Sequence, residues 1–334
     1  MHSMWKIIYF IMKMLPGHYA KMAMWVAMEK VGIVSLLCDE GYHIIQLLAF
    51  TNERFLMPWE GGGVCSLVKW QLLYWKSDIP SIGCDRFAVR NFIRERGLAD
   101  ILVPLCPDEE TVWDDVESID FSKLPNAFVL KCTNGSGLVE IVRDKTKLDI
   151  EKMKSKMKEW LESDISKLYR EFQYAKVKNR IICEQLIATE DSKEPKDYKI
   201  MCSNGRPLFA WIDYDRFSGH ERIYVDLDFV AQNVRSNFIK SRNGAGCLSE
   251  KPSNWARMLE VASILSKGIP IVRVDLYSEN GHVYFGELTF TPGGGIETTV
   301  PFSFSQKHAQ EADIREFLNM SQSVLGCTKH KEKV

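Results

Sequence analysis

Residues 271–295 read IVRVDLYSENGHVYFGELTFTPGGG. Two apolar runs of strand length flank Glu279-Asn280-Gly281, so a β-hairpin is the expected unit. Alternation puts Ile271, Arg273, Asp275 and Tyr277 on one face of the first strand, and Val272, Val274 and Leu276 on the other. In the second strand Val283, Phe285, Glu287 and Thr289 share a face. Charge on an otherwise apolar strand is costly unless it is paired or holds a metal. The fold must therefore supply partners for Arg273, Asp275 and Glu287.

Register decides whether the two acids meet. A two-residue Asn-Gly turn would pair 275 with 286 and send Glu287 to the opposite face. A three-residue loop, Glu279-Asn280-Gly281, pairs 278 with 282 and gives Gly281 the left-handed position such loops want. Arg273 then faces Glu287, with Asp275 diagonal on the same face. The odd-length loop is the expectation. Two carboxylates there repel unless a cation is shared, and oxygen ligands of this kind suit Mg²⁺ with ATP phosphates. The plain alternative is a cross-strand ion pair between Arg273 and Glu287.

The rest of the chain is compatible with an enzyme of ordinary composition. Its 334 residues allow two or three domains, and 46% apolar with 26% charged residues describes a soluble globular protein. Lys and Arg (43) nearly balance Asp and Glu (44), for a net charge of −1. A chain-wide basic footprint is missing, so no nucleic-acid partner is expected. The nine cysteines are scattered and no CxxC occurs. That argues against a disulfide framework or a zinc knuckle and for reduced thiols in a cytoplasmic setting.

The N-terminal stretch MHSMWKIIYFIMKMLPGHYAKMAMW is apolar, interrupted by Lys6 and Lys13 and stopped by Pro16. It is too short to span a bilayer, which takes ~20 apolar residues. Two readings stay open: a helix packed on the domain, or a peripheral helix at the inner face of a membrane. Gly61-Gly62-Gly63 lacks the Lys-Ser/Thr of a P-loop and reads as a turn.

Residues 84–97 read as a helix ended by Gly97, and the acidic, Pro-punctuated segment 98–125 as a connection. From 126 the pattern turns to short strands: 127–131, 138–142, 180–187, 198–203 and 207–213, the last two joined by Asn204-Gly205. Helices are expected over 149–162 and over 253–267, the second capped by Ser253. This mixture reads as α+β.

Two further stretches carry chemistry. FVLKCTNGSGLVEIV is strand, glycine loop, strand, where backbone amides could fold over phosphates with Lys131 as a point charge. DYKIMCSNGRPLFAWIDYDRFSGHERIYVDLDF crowds Asp197, Lys199, Asp213, Asp215, Arg216, His220, Arg222, Asp226 and Asp228 into one segment. Its Lys and Arg residues could hold phosphate or carboxylate, and His220 could act as acid or base. The pairs Asp213/Asp215 and Asp226/Asp228 each satisfy Asp-x-Asp, a metal-holding pattern of nucleotide-sugar transferases.

Together with KWQLLYWKSDIPSIGCDRFAVRNFI, these segments resemble the TupA-like branch of the ATP-grasp superfamily, named for teichuronopeptide biosynthesis, over about residues 69–300. The resemblance implies an ATP-grasp fold, with two α+β subdomains clamping ATP. It divides the chain into an atypical region 1–68, a helical region 69–125, a lid subdomain 126–190 and a metal-binding subdomain 191–325. It implies ATP and Mg²⁺ as cofactors, and a small-molecule or polysaccharide-precursor carboxylate and an amine as partners. Residue by residue, Lys131 is similar to the phosphate lysine, and Thr133, Asn134, Gly135, Ser136 and Gly137 to the lid loop. Glu184 resembles the hinge glutamate near adenine and ribose, and Lys199 the next basic position. Asp275 and Glu287 match the metal acids. Thr289 stands where many relatives have an Asn ligand. Arg273, Arg216 and Arg222 are the expected contacts to acyl phosphate and substrate carboxylate. The implied activity is carboxylate–amine ligation through an acyl phosphate in surface-polysaccharide biosynthesis. The alternatives are a glycosyltransferase of the same pathway using an Asp-x-Asp site and a non-catalytic scaffold.

Overall fold

The computed structural model describes residues 4–318, except 52–55, 58–59, 167–169, 188, 190–194, 215–219 and 243–247. Three helices come first: α1 (Met4–Met14), α2 (Gly17–Lys30) and α3 (Asp39–Thr51). Ile8 and Met12 of α1, Trp25 and Met28 of α2, and Tyr42, Ile45 and Leu48 of α3 form a small core of their own. Helix α3 is buried continuously from Gly41 to Ala49. A helix apolar on all sides is packed on all sides: α1 and α2 cover one side and α4 (Val64–Tyr74) another. No helix of the described residues is long and apolar enough to cross a membrane.

The helix expected over 84–97 is shorter, α6 (Val89–Glu95), and a separate helix, α5 (Ile79–Cys84), ends where the expected range begins. Asp85 separates them. Its Oδ1 accepts from the amides of Phe87 (2.8 Å) and Ala88 (3.0 Å), which starts a new turn. Gly97, at φ +73°, follows as expected. The packing divides residues 69–125 between two cores. Trp70 to Leu102 join the main core. Cys106 to Leu124 join the core of a small antiparallel sheet, β1 (Phe128–Cys132), β2 (Val139–Val142) and β3 (Ile181–Gln185), in the order β2-β1-β3. Helix α7 (Ile150–Glu162), capped by Asp149 Oδ1 on the Lys152 amide, packs Met153, Met157 and Trp160 onto it.

The main sheet has six strands in the order β10-β9-β4-β5-β6-β8. They are β4 (Asp197–Ser203), β5 (Arg206–Tyr214), β6 (Glu221–Val225), β8 (Lys240–Ser241), β9 (Val272–Glu279) and β10 (His282–Thr289). A two-stranded piece, β7 (Arg235–Ser236) with β11 (Thr299–Val300), lies apart. One face of the sheet is apolar: Tyr198, Ile200, Ile212, Ile223, Val272 and Val274 belong to the main core, together with α8 (Trp255–Ser266). Helix α8 follows Asn254, not Ser253. No side chain caps it, because Asn254 Oδ1 accepts from Ser278 Oγ (2.9 Å). A last helix, α9 (Phe302–Glu311), sets Phe304 and His308 against Phe209.

The hairpin register corrects the sequence expectation. Glu279 pairs with His282, so the turn is the two-residue Asn280-Gly281, with φ +51° and +74°. These angles suit the mirror-image turn whose twist matches the strands. Such a turn alone would send Glu287 to the wrong face. A β-bulge at Gly286 supplies the missing residue: Phe285 pairs with Leu276, then Glu287 with Asp275. Arg273 consequently stands opposite Thr289, and Asp275 stands opposite Glu287.

Candidate active site

The second face of the main sheet is polar, and the registers align its charges in rows. Glu287, Asp275, Lys199 and Trp211 lie side by side across β10, β9, β4 and β5. The next row holds Asp197, Asp213 and Arg222. Most of these groups are buried, so each needs partners. Lys199 Nζ donates to Asp197 Oδ2 (2.5 Å) and Asp275 Oδ2 (2.6 Å). Arg273 donates through Nε to Asp275 Oδ1 (2.6 Å) and through Nη2 to Asp275 Oδ2 (2.7 Å). Burial pushes the Asp275 carboxyl up, but Arg273 and Lys199 outweigh it and hold it down at about 2. The same acids drive Arg273 above its ordinary value despite burial.

Three oxygens converge on one nitrogen. Asp275 Oδ2, Glu287 Oε1 and Thr289 Oγ1 lie 2.7, 2.9 and 2.9 Å from Arg273 Nη2. Among the described residues no group of three or more His, Cys, Asp or Glu is arranged for a metal. The third oxygen of this set is the Thr289 hydroxyl. Two carboxylates and a hydroxyl form a hard, all-oxygen donor set of the kind that suits Mg²⁺, and in this structure the Arg273 guanidinium occupies their point of convergence. Around the face, Asp197, Asp213, Asp275, Glu287 and Glu297 outnumber Lys199, Arg222 and Arg273 five to three. The excess divides evenly, with one unmatched negative charge at the Arg222 end and one around Asp275 and Glu287.

At the other end Arg222 is already engaged. Its Nε and Nη2 donate to Asp213 (2.6 and 3.1 Å), and its Nη1 donates to Glu297. Glu297 Oε1 also accepts from Ser236 Oγ (2.9 Å). Arg222 is thus paired with two acids in this structure, as Arg273 is with Asp275 and Glu287. His220 Nε2 lies 3.2 Å from Asp213 Oδ1. Arg216 and Asp215 lie outside the described residues. Asp226 serves a turn: it accepts from the amides of Asp228 (3.1 Å) and Val230 (2.8 Å), which accounts for one Asp-x-Asp pair as backbone chemistry.

On the small sheet Lys131 pairs with Glu184 across β1 and β3. In the glycine loop, Thr133 Oγ1 donates to Lys178 O (2.7 Å), and Asn134 Nδ2 donates to Asn179 Oδ1 (2.8 Å). These two side chains anchor the loop. Ser136 and Gly137 are exposed beyond them. A narrow pocket of about 30 Å³ lies between the sheets, lined by Arg86, Gly135 and Glu184 on one side and Gly286, Glu287 and Thr289 on the other. Arg86 was not singled out from the sequence. Its Nη1 donates to Cys132 O (2.6 Å), a contact between segments far apart in the chain.

Lys69 was missed as well. Helical context makes a lysine a surface residue by default, yet Lys69 is 1% exposed. Its Nζ has three acceptors: His43 Nδ1 (3.1 Å), Gln46 Oε1 (2.7 Å) and Gly294 O (2.7 Å). His43 Nε2 meets Arg170 O (3.2 Å), so the ring donates there and accepts at Nδ1. Burial lowers Lys69 to about 7, with Glu171 opposing. Burial also lowers His43 to about 2, with Lys69 adding to it. Lys69 therefore ties α3 and α4 to the Gly293–Gly295 loop that follows the metal-ligand candidates.

No curated protein matches the chain. Among solved structures it is similar to the D-alanine–D-alanine ligase of Bacillus anthracis complexed with ATP, at 16% identity over 72% of this chain and 65% of that one, with a TM-score of 0.41. It is also similar to the D-alanine–D-alanine ligase of Helicobacter pylori (14%, 70% and 61%, TM-score 0.41). The phosphoribosylamine–glycine ligase of Thermotoga maritima is a third (14%, 71% and 56%, TM-score 0.42). The chain thus spans 56% to 65% of the length of these three proteins. Residues 68–309, well over half of the chain, match the TupA-like ATP-grasp family, and they include both sheets, the glycine loop and the paired acids. The chain belongs to the TupA-like ATP-grasp family.

Proposed function

We propose that this chain is an ATP-dependent carboxylate–amine ligase. The observation that carries the reading is the convergence of Asp275, Glu287 and Thr289 oxygens on one cation position, with Lys199 beside it. Asp275, Glu287 and Thr289 would hold Mg²⁺, which supplies a hard positive charge against phosphate oxygens. Lys131, Lys199 and Arg273 add positive charge from both sides of the cleft, so an anionic carboxylate can approach ATP. A carboxylate oxygen attacks the γ-phosphorus, the bond to the bridging oxygen breaks and ADP leaves. The amine nitrogen then attacks the acyl carbon, phosphate leaves and the nitrogen gives up a proton. Such chemistry rests on positioning and charge, with no protein nucleophile. The Gly135–Gly137 loop would close over the phosphates and keep water from the acyl phosphate.

Asp213 and Glu297 leave the Arg222 end of the face with excess negative charge, which suits the amine partner in its ammonium form. His220, beside Asp213, is the group assigned to take a proton from that ammonium so that the free amine can attack; the second proton leaves with the phosphate. The sequence likeness to teichuronopeptide synthesis supports a surface-polysaccharide precursor, such as a uronic acid, as the carboxylate. A screen for ADP release over sugar acids and amino acids tests the reading. ADP is expected only when a carboxylate and an amine are both present. UDP release from a nucleotide sugar without ATP consumption would overturn it in favour of glycosyl transfer. A lack of Mg-ATP binding in calorimetry would point to a scaffold.

A further inference from the structure

The exposed apolar side chains of this protein are unevenly distributed. Of the fifteen large ones among the described residues, eight lie in residues 7–36: Ile7, Phe10, Ile11, Met14, Tyr19, Val26, Val31 and Leu36. Four of them form a stripe on α1 at i, i+3, i+4 and i+7: Ile7 (60% exposed), Phe10 (64%), Ile11 (45%) and Met14 (73%). At about 100° per residue this spacing is one helix face. It lies opposite Ile8 and Met12, which pack into the helical core. Helix α1 is therefore apolar on two sides, and packing within the chain satisfies one of them.

Charge indicates what meets the other side. Lys6 and Lys13, seven residues apart, share the flank of the stripe next to Phe10, and both are exposed. From Met4 to Met28 the chain has no Asp or Glu, and of its three lysines Lys6 and Lys13 are exposed and Lys21 is buried. A second copy of α1 laid face to face would bring these lysines together without a counter-charge. An anionic phospholipid surface takes the apolar stripe into its acyl boundary and the lysines at its headgroups. Eleven residues span roughly 16 Å, about half of a hydrocarbon core, so the helix lies in the interface and does not cross it.

We propose that the exposed face of α1 docks on an anionic phospholipid bilayer. The proposal does not depend on the ligase reading. The test is flotation of the full chain with vesicles of phosphatidylcholine alone and of phosphatidylcholine mixed with phosphatidylglycerol. Binding is expected on the mixed vesicles, falling as salt rises. The pair Ile7→Ser and Phe10→Ser should weaken it at least tenfold, and the pair Lys6→Gln and Lys13→Gln about tenfold, on anionic vesicles. Phe238→Ser, at a half-exposed site elsewhere, should leave it unchanged. All these positions are exposed, and an unchanged melting temperature would show that the variants fold. A failure of the parent to float with the mixed vesicles would overturn the proposal. So would binding that survives Ile7→Ser with Phe10→Ser. A concentration-dependent dimer that these two substitutions abolish, without vesicle binding, would show that the face joins two copies of the chain.

Discussion

Lys199 and Lys69 sit in two regions that bury a lysine in different ways. Both are almost fully buried, and both reach acceptors from more than one element. Around Lys199 the acceptors are carboxylates, Asp197 and Asp275, set on the polar face of the main sheet. Around Lys69 they are neutral: a ring nitrogen, an amide oxygen and a backbone carbonyl. Where charge meets charge, the lost hydration is repaid by Coulomb attraction at short range. Where charge meets dipoles, hydrogen bonds and the Glu171 charge nearby offset only part of it, and burial brings Lys69 to about 7. The difference separates a surface built to carry charge, which can meet phosphates, from a clamp that joins the helical region to the Gly293–Gly295 loop.

The largest expected effects fall on the charged side of this comparison. Glu287→Gln should cut ADP release at least ~100-fold. Its side chain is 40% exposed, so the melting temperature should change little. Asp275→Asn should abolish turnover and also cost about 3–5 kcal/mol in urea unfolding, because Lys199 and Arg273 lose a buried counter-charge. Full activity in either variant would remove the cation assignment.

Lys69→Met probes the neutral side. It leaves Gln46 Oε1 and Gly294 O buried without their donor, at about 1–3 kcal/mol each, partly offset by removing a desolvated ammonium. A net loss of about 2 kcal/mol is expected, and a variant as stable as the parent would rule out the clamp. The pH dependence follows from the same group. Between about 7 and 10.5 the folded Lys69 is neutral while the unfolded one keeps its proton. The unfolded state then binds more protons, so stability should rise with pH across that window. The rise should flatten in Lys69→Met. His43 acts in the same direction at lower pH. It stays neutral in the fold down to about 2, while the unfolded ring protonates below 6.5. Stability should therefore fall as the pH drops through this range, and His43→Gln should reduce the slope of urea midpoints against pH.

The smallest effect concerns the bulge. A Cβ at Gly286 would lie 3.0 Å from Asp275 O. Gly286→Ala should cost about 1 kcal/mol in unfolding, with a fall in turnover as Glu287 shifts. Unchanged turnover with lowered stability would separate the register of β10 from the work of Glu287.

Much of the fold was legible because its signals are local. Alternation located the strands of the β4–β5 and β9–β10 hairpins to within two or three residues, and Asn204-Gly205 marked the first turn, while the second is the two-residue Asn280-Gly281 in place of the expected three-residue loop. The paired acids could be named from charge on apolar strands. Their register could not, because the bulge at Gly286 belongs to the fit of β10 on β9 and leaves the alternation up to Phe285 intact. Asp85 carried a readable helix-start signal that apolar periodicity across 84–97 concealed. Ser253 looked like a cap, yet α8 starts one residue later and Asn254 is turned to Ser278. The acids that pair with Arg222, Asp213 and Glu297, lie on neighbouring β5 and after β10, and no local pattern in the sequence joins them to it.

By itself, then, the sequence determined the kinds and order of elements, and which side chains bring charge to apolar strands. Periodicity and turn chemistry act over a few residues, and they need no knowledge of what packs against them. The tertiary structure decided which charges meet. Lys199 reaches Asp275 across 76 positions of chain, and Lys69 reaches Gly294 across 225. At such separations a partner is set by sheet order and helix packing, and a buried charge takes its role from that partner.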